Sequence, residues 1–143
     1  MLTGCGNHYN VEETGENLAE KINTQATENI TKLNLSFQNI GNLANMGNFT
    51  NLKALYLDGN QIVDITPLKE FMNLEILSLN GNLIEDLTPL AGLENLKELY
   101  LNDNRIDNIE PLKGLTQLTH ISVKGNLLSD IAILKNMEKL QEV

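Results

Sequence analysis

Tryptophan is absent from this 143-residue chain, aromatic residues make up only 4% of it, and there is a single cysteine. A core with no tryptophan and three phenylalanines must be built from aliphatic side chains. One cysteine excludes an intramolecular disulfide framework, and with only two histidines it also excludes a Cys/His zinc cluster. Basic residues are scarce: ten stand against nineteen acidic ones, a net charge of −9. A chain that repels phosphate overall is a poor partner for nucleic acid and for anionic membrane surfaces. No apolar run approaches the roughly 18 residues that a membrane-spanning helix needs.

Leucine and asparagine are abundant instead, 26 and 21 residues within a hydrophobic content of 41%. That content excludes an intrinsically disordered chain, and the length is that of one domain with a real core. The excess is periodic. Segments beginning at residues 51, 73, 95 and 117 repeat every 22 residues; counted from the first framework residue of each, apolar side chains fall at relative positions 1, 4, 6, 11, 14, 17 and 20. In one copy these are Leu52, Leu55, Leu57, Ile62, Ile65, Leu68 and Phe71. An earlier copy fits the same frame with Ile30, Leu33, Leu35, Ile40, Leu43, Met46 and Phe49, and a sixth begins at Leu140. Every framework position in the five full copies is apolar, which chance does not produce at this composition.

The core L-x-x-L-x-L-x-x-N, as in Leu74, Leu77, Leu79 and Asn82, is followed by N-x-I-x-D-L-x-P-L over residues 82–90. This pattern resembles the leucine-rich repeat family, and the 22-residue length with its D-[IL]-x-P-L ending is similar to the internalin and SDS22-like subclass. The resemblance covers residues 30–143 and implies an α/β solenoid: a horseshoe with short parallel strands on the concave face and 3₁₀ or short helical turns on the convex side.

Each recurring position also has its own physical reason. The alternation at Leu55, Tyr56 and Leu57 is the period of a short strand with leucines turned inward. Asn60, Asn82, Asn104 and Asn126 recur where the chain must leave the strand, and an amide that both donates and accepts suits such a turn. A buried asparagine ladder is expected. Pro67, Pro89 and Pro111 share one repeat position, and their preset φ suits the first residue of a helical turn. Asp64, Asp86, Asn108 and Asp130 precede those turns, where a short polar side chain stabilises the entry. One repeat cannot fold alone, so stability comes from neighbours sharing a core and both ends of the stack need covering.

Residues 14–29 carry Leu18 and Ile22 four apart among charged residues, with Thr14 or Asn17 as candidate N-caps, and are expected to form an amphipathic capping helix. At the other end the chain stops four residues into a repeat. Ile121, Val123, Leu128, Ile131 and Leu134 are expected to form an open edge, implying a fragment, a partner or a second copy. Residues 1–13 read as a lipobox remnant and flexible tether. Leu2-Thr3-Gly4-Cys5 resembles a bacterial lipobox, although the charged and apolar segments that precede such a site are missing. If processed, Cys5 would be the lipidated mature N-terminus, on the extracytoplasmic face of a bacterial membrane, and that lipid would be the only membrane contact. If Met1 is the true start, a cytoplasmic protein is expected.

Catalytic signatures are missing: there is no G-x-S-x-G, H-E-x-x-H or phosphate-binding loop. Asp58-Gly59-Asn60 and Asn102-Asp103-Asn104 superficially resemble a calcium loop, but Ile62 and Ile106 stand where an oxygen ligand is needed. No enzyme activity, cofactor or metal is therefore expected. The three N-x-[ST] matches, at Asn29, Asn34 and Asn48, are no more than this composition gives by chance.

The outward face of the strands remains. Repeat position 3 reads Lys32, Ala54, Ile76, Glu98, His120; position 5 reads Asn34, Tyr56, Ser78, Tyr100, Ser122; position 7 reads Ser36, Asp58, Asn80, Asn102, Lys124. Tyr56 and Tyr100, with Ser78 between them and Ile76 diagonal to both, form a candidate protein-binding cluster with Asp58, Glu98 and His120 around it. The resemblance implies a recognition or adhesion module binding another protein at a bacterial surface. Its alternatives are an intracellular phosphatase regulator of the SDS22-like kind, or the recognition part of a longer enzyme.

Overall fold

Alternation of buried leucine with outward polar residues can satisfy a three-residue strand only if other strands flank it, and the repeat supplies them every 22 residues. The computed structural model describes residues 8–10, 30–46, 49 and 51–141. Six parallel strands form one sheet in chain order: β1 (His8–Asn10), β2 (Lys32–Asn34), β3 (Ala54–Tyr56), β4 (Ile76–Ser78), β5 (Glu98–Tyr100) and β6 (His120–Ser122). From β2 onward the register is the repeat itself, so Leu33, Leu55, Leu77, Leu99 and Ile121 stand side by side. After each strand from β2 to β6 the chain passes through a 3₁₀ turn, at Ala44–Met46, Thr66–Glu70, Thr88–Leu90, Glu110–Gly114 and Ala132–Asn136.

Within residues 1–13, read from the sequence as a lipobox remnant and flexible tether, the structure describes only residues 8–10, and these form the strand β1. His8–Asn10 pairs in parallel with β2, His8 opposite Lys32 and Asn10 opposite Asn34. The physical reason is the edge: an outermost β2 would present a row of unpaired backbone groups, and an added strand supplies their partners. Cys5, the lipobox and the expected capping helix over 14–29 lie outside the described residues.

The core is a continuous aliphatic column, with Leu52, Leu55, Leu57, Leu74, Leu77, Leu79, Leu96, Leu99 and Leu101 fully buried, and Phe49 and Phe71 as its largest side chains. Toward the C-terminal end cover thins: Val123 and Leu128 are partly buried and Ile131 is 46% exposed. Ile121 and Leu134, expected on the same open edge, are buried. The start of the next repeat docks there in register, with Leu140 packed against the core and the Gln141 N–H donating to the Thr119 carbonyl at 2.8 Å.

The turns use the chemistry expected of them. Oδ1 of Asp64, Asp86, Asn108 and Asp130 accepts the N–H of the residue two positions on, at 2.7–2.8 Å. Each proline stands second in its 3₁₀ turn, one place later than expected. That N–H would also have lacked a partner within the turn, so its loss costs nothing there. Where the chain leaves each strand from β2 to β6 it enters the left-handed region, at Gly59, Gly81 and Gly125, and also at Phe37 (φ 61°) and Asp103 (φ 53°). Glycine suits this position because it has no Cβ to clash.

Candidate functional site

Two polar columns run along the sheet beside the outward side chains. The inner one is the expected ladder. The Asn82 Nδ2 donates to the carbonyls of Leu57 and Leu79, both at 3.0 Å, while its Oδ1 accepts the Ile62 N–H at 3.1 Å. Asn60, Asn104 and Asn126 repeat the arrangement one repeat apart. Each amide thus joins its own strand end to the preceding repeat. Asn60, Asn82 and Asn104 are buried, and no buried side-chain polar atom among the described residues lacks a partner.

The outer column was not foreseen. Asp58 Oδ1 accepts from the Asn80 N–H and Nδ2, both at 2.9 Å, and from the Ser78 hydroxyl. Its Oδ2 accepts from the Ser36 hydroxyl at 3.4 Å. The Asn80 Oδ1 then accepts the Asn102 N–H, and the Asn102 Oδ1 accepts the Lys124 N–H, both at 2.8 Å. The recurrence of Asp or Asn at 58, 80 and 102 was the signal that could have found this second ladder. Asp58 is therefore held by internal bonds rather than pointing freely outward.

Of the outward cluster, the register places Ser78 between Tyr56 and Tyr100, and Ile76 between Ala54 and Glu98. Two strand spacings put the tyrosines about 10 Å apart. Tyr56, Ile76, Glu98, Tyr100 and His120 are all half-buried, with part of each side chain open to solvent. Ser78 differs from expectation: it is only 4% exposed, because the larger neighbours cover it, and its hydroxyl serves the outer ladder. It supports the cluster from below. The Tyr100 hydroxyl donates to Glu98 Oε2 at 2.9 Å, and the Lys32 ammonium lies 5.2 Å from the centre of the Tyr56 ring, a cation–π contact. His120 stands on the last strand, beside Glu98 in the register.

Along the rim where the strands begin, Glu75 sits between two lysines, 3.4 Å from Lys53 and 2.6 Å from Lys97. The hydrogen bond from Lys97 holds its carboxyl below the usual range, against the opposing effect of partial burial, with Lys53 adding to the lowering. Among the described residues no group of three or more His, Cys, Asp or Glu is placed to hold a metal ion, and no helix is long and apolar enough to cross a membrane. A groove of about 470 Å³ opens away from the sheet, between the loops that carry Glu85, Asp86, Arg105 and Asp107. Asp86 and Asn108 in its wall are already committed to the turn entries, so the sheet face is the better candidate.

The family model described as leucine-rich repeats (2 copies) matches residues 50–92, 72–114 and 94–136. No curated protein matches the sequence. Among solved structures, an internalin C2 of Listeria monocytogenes is similar at 39% identity and a TM-score of 0.78, over 80% of this chain and 51% of that one. A second internalin of the same species is 31% identical with a TM-score of 0.67, over 80% and 40%. A leucine-rich repeat protein of Leptospira interrogans is 25% identical with a TM-score of 0.75, over 81% and 31%. The chain thus spans about half the length of the first of these and less of the others.

Proposed function

The chain belongs to the leucine-rich repeat family, and on that premise we propose that it is a non-catalytic recognition module whose sheet face binds another protein at a bacterial cell surface. The observation that carries this reading is the half-exposed cluster of Tyr56, Ile76 and Tyr100 on a rigid sheet, seated on a buried Ser78 and two hydrogen-bonded ladders. Rigid aromatic side chains bind at low entropic cost, and tyrosine offers a large apolar area with a polar end. A fixed framework under variable outward residues is also the arrangement that lets repeat proteins change partners without changing fold. Glu98 and His120 extend the surface toward the last strand, and Asp58 borders it.

For the location, the support is the lipobox-like Leu2-Thr3-Gly4-Cys5 and the bacterial source of the similar solved structures. A lipid on Cys5 would anchor the module to the outer side of the cytoplasmic membrane. Mass spectrometry of the full-length bacterial product tests the anchor: an unmodified Cys5 removes it. The recognition face is tested by Tyr56→Ala with Tyr100→Ala, compared with the native chain in affinity for a captured partner. Both forms should keep the same circular dichroism spectrum, and the double variant should lose roughly tenfold or more in affinity. A partner held equally by both forms removes the site assignment.

A further inference from the structure

The distribution of charge over the sheet face differs from that of the molecule. The outward columns and the rim where the strands begin carry Lys32, Lys53, Lys97 and Lys124 against Asp58, Glu75 and Glu98, a positive excess of one in a chain of net charge −9. Each of the three carboxylates is occupied within the protein. Asp58 accepts from Ser36, Ser78 and Asn80, Glu98 accepts from the Tyr100 hydroxyl, and Glu75 is shared by two lysines. One carboxylate between Lys53 and Lys97 leaves a positive charge in surplus, and both lysine side chains stay largely open to solvent at 62% and 56% exposure. Lys32 rests on the Tyr56 ring, and among the described residues no carboxylate forms an ion pair with Lys32 or Lys124.

We infer that the partner is a protein segment that sets a branched aliphatic or aromatic side chain between Tyr56 and Tyr100 and flanks it with carboxylates that meet Lys32, Lys53 and Lys97. This rests on the sheet face being the recognition surface, and it names the chemistry that face selects. Opposed charges at a rim govern encounter and register, and like charges there reject wrong partners. The rest of the molecule is acidic and discourages acidic partners elsewhere, so the sheet face is the place where such a segment is accepted. Left to net charge alone, the chain would collect basic segments.

The test uses the chain itself and a displayed library of short random peptides, retaining those that bind the native form and not the Tyr56→Ala, Tyr100→Ala form. The expected peptides carry net negative charge around an aromatic or branched aliphatic residue, and weaken by roughly fivefold or more toward Lys53→Gln with Lys97→Gln. Lys32→Gln gives a second reading that leaves the Glu75 triad intact. Neutral or basic peptides that still need the two tyrosines would overturn the charge inference and leave the recognition face standing. Peptides indifferent to the tyrosines, or none at all, would overturn both.

Discussion

The two polar ladders lie two residues apart in every repeat, and they obey different rules. The inner one is asparagine at 60, 82, 104 and 126, and departs only in the first copy, where Gln38 holds the position. The outer one runs Ser36, Asp58, Asn80, Asn102, and then a plain backbone N–H at Lys124. Burial is the difference. An inner amide must satisfy backbone carbonyls and an N–H that water cannot reach, so only a side chain with one acceptor and a two-proton donor fits. The outer column is half open, and any short acceptor serves because solvent replaces what is missing. The residue between the columns feels neither rule, only the left-handed backbone, and there Gly, Phe and Asp all occur.

The largest expected effect comes from breaking the inner column. Asn82→Ala leaves the buried Ile62 N–H without a partner and takes one of two amide donors from each of the Leu57 and Leu79 carbonyls, which keep Asn60 and Asn104; together this should cost about 3 kcal/mol in urea denaturation. Asn126→Ala, in a half-buried site near the C-terminal end, should cost roughly half as much. Equal losses at both would show that burial does not set the rule. Next comes the outer column: Asn80→Ala removes bonds to Asp58 and Asn102 at a half-exposed position and should cost about 1 kcal/mol in the same measurement. A loss matching that of Asn82→Ala would make the two ladders equivalent.

Between the columns the sign reverses. Phe37 is 77% exposed in a left-handed conformation, with its ring lying over Gly59. Phe37→Asn places there a residue that tolerates this backbone and should stabilise the fold by about 0.5–1 kcal/mol, read as a raised melting temperature. A lowered one would mean that the ring's packing on Gly59 outweighs the strain.

The smallest effect concerns the turn entries, which are open to solvent. Asp64 and Asp86 are held below their usual pKa of 3.8 by hydrogen bonds from the side chain and then the backbone N–H of Thr66 and Thr88. A depressed carboxyl stabilises the fold above its unfolded pKa and loses that contribution as pH falls through the folded value. Stability should therefore decline below about pH 4, and Asp64→Asn with Asp86→Asn should make that decline shallower. The precedent is in the chain: Asn108 holds the same bond to the Glu110 N–H without a charge. An unchanged acid limb would show that these turns need only an acceptor.

Much of this was legible because the repeat is strict. Leu55, Leu77 and Leu99 had to be neighbours once their spacing was constant, and the inner ladder followed from an asparagine at four successive strand exits, 60, 82, 104 and 126. The outward side of Tyr56 and Tyr100 followed from strand alternation. Asp58 and Ser78 were harder, since alternation gives the side of a strand but not whether a small residue is covered by large neighbours. His8–Asn10 carries no repeat signature at all, and its pairing with β2 depends on an edge that exists only once the sheet is formed.

The sequence by itself determined the period, the aliphatic framework, the inner ladder and the parallel sheet, because a 22-residue recurrence permits one way of burying every framework side chain at once. Tertiary structure alone decided which outward residues remain available. The outer ladder, the Lys53–Glu75–Lys97 triad and the covering of Ser78 all arise between residues 20 to 22 apart, brought to hydrogen-bond distance by stacking. No local property of a single strand encodes such a contact, because its energy belongs to the pair and appears only when neighbouring repeats are in register.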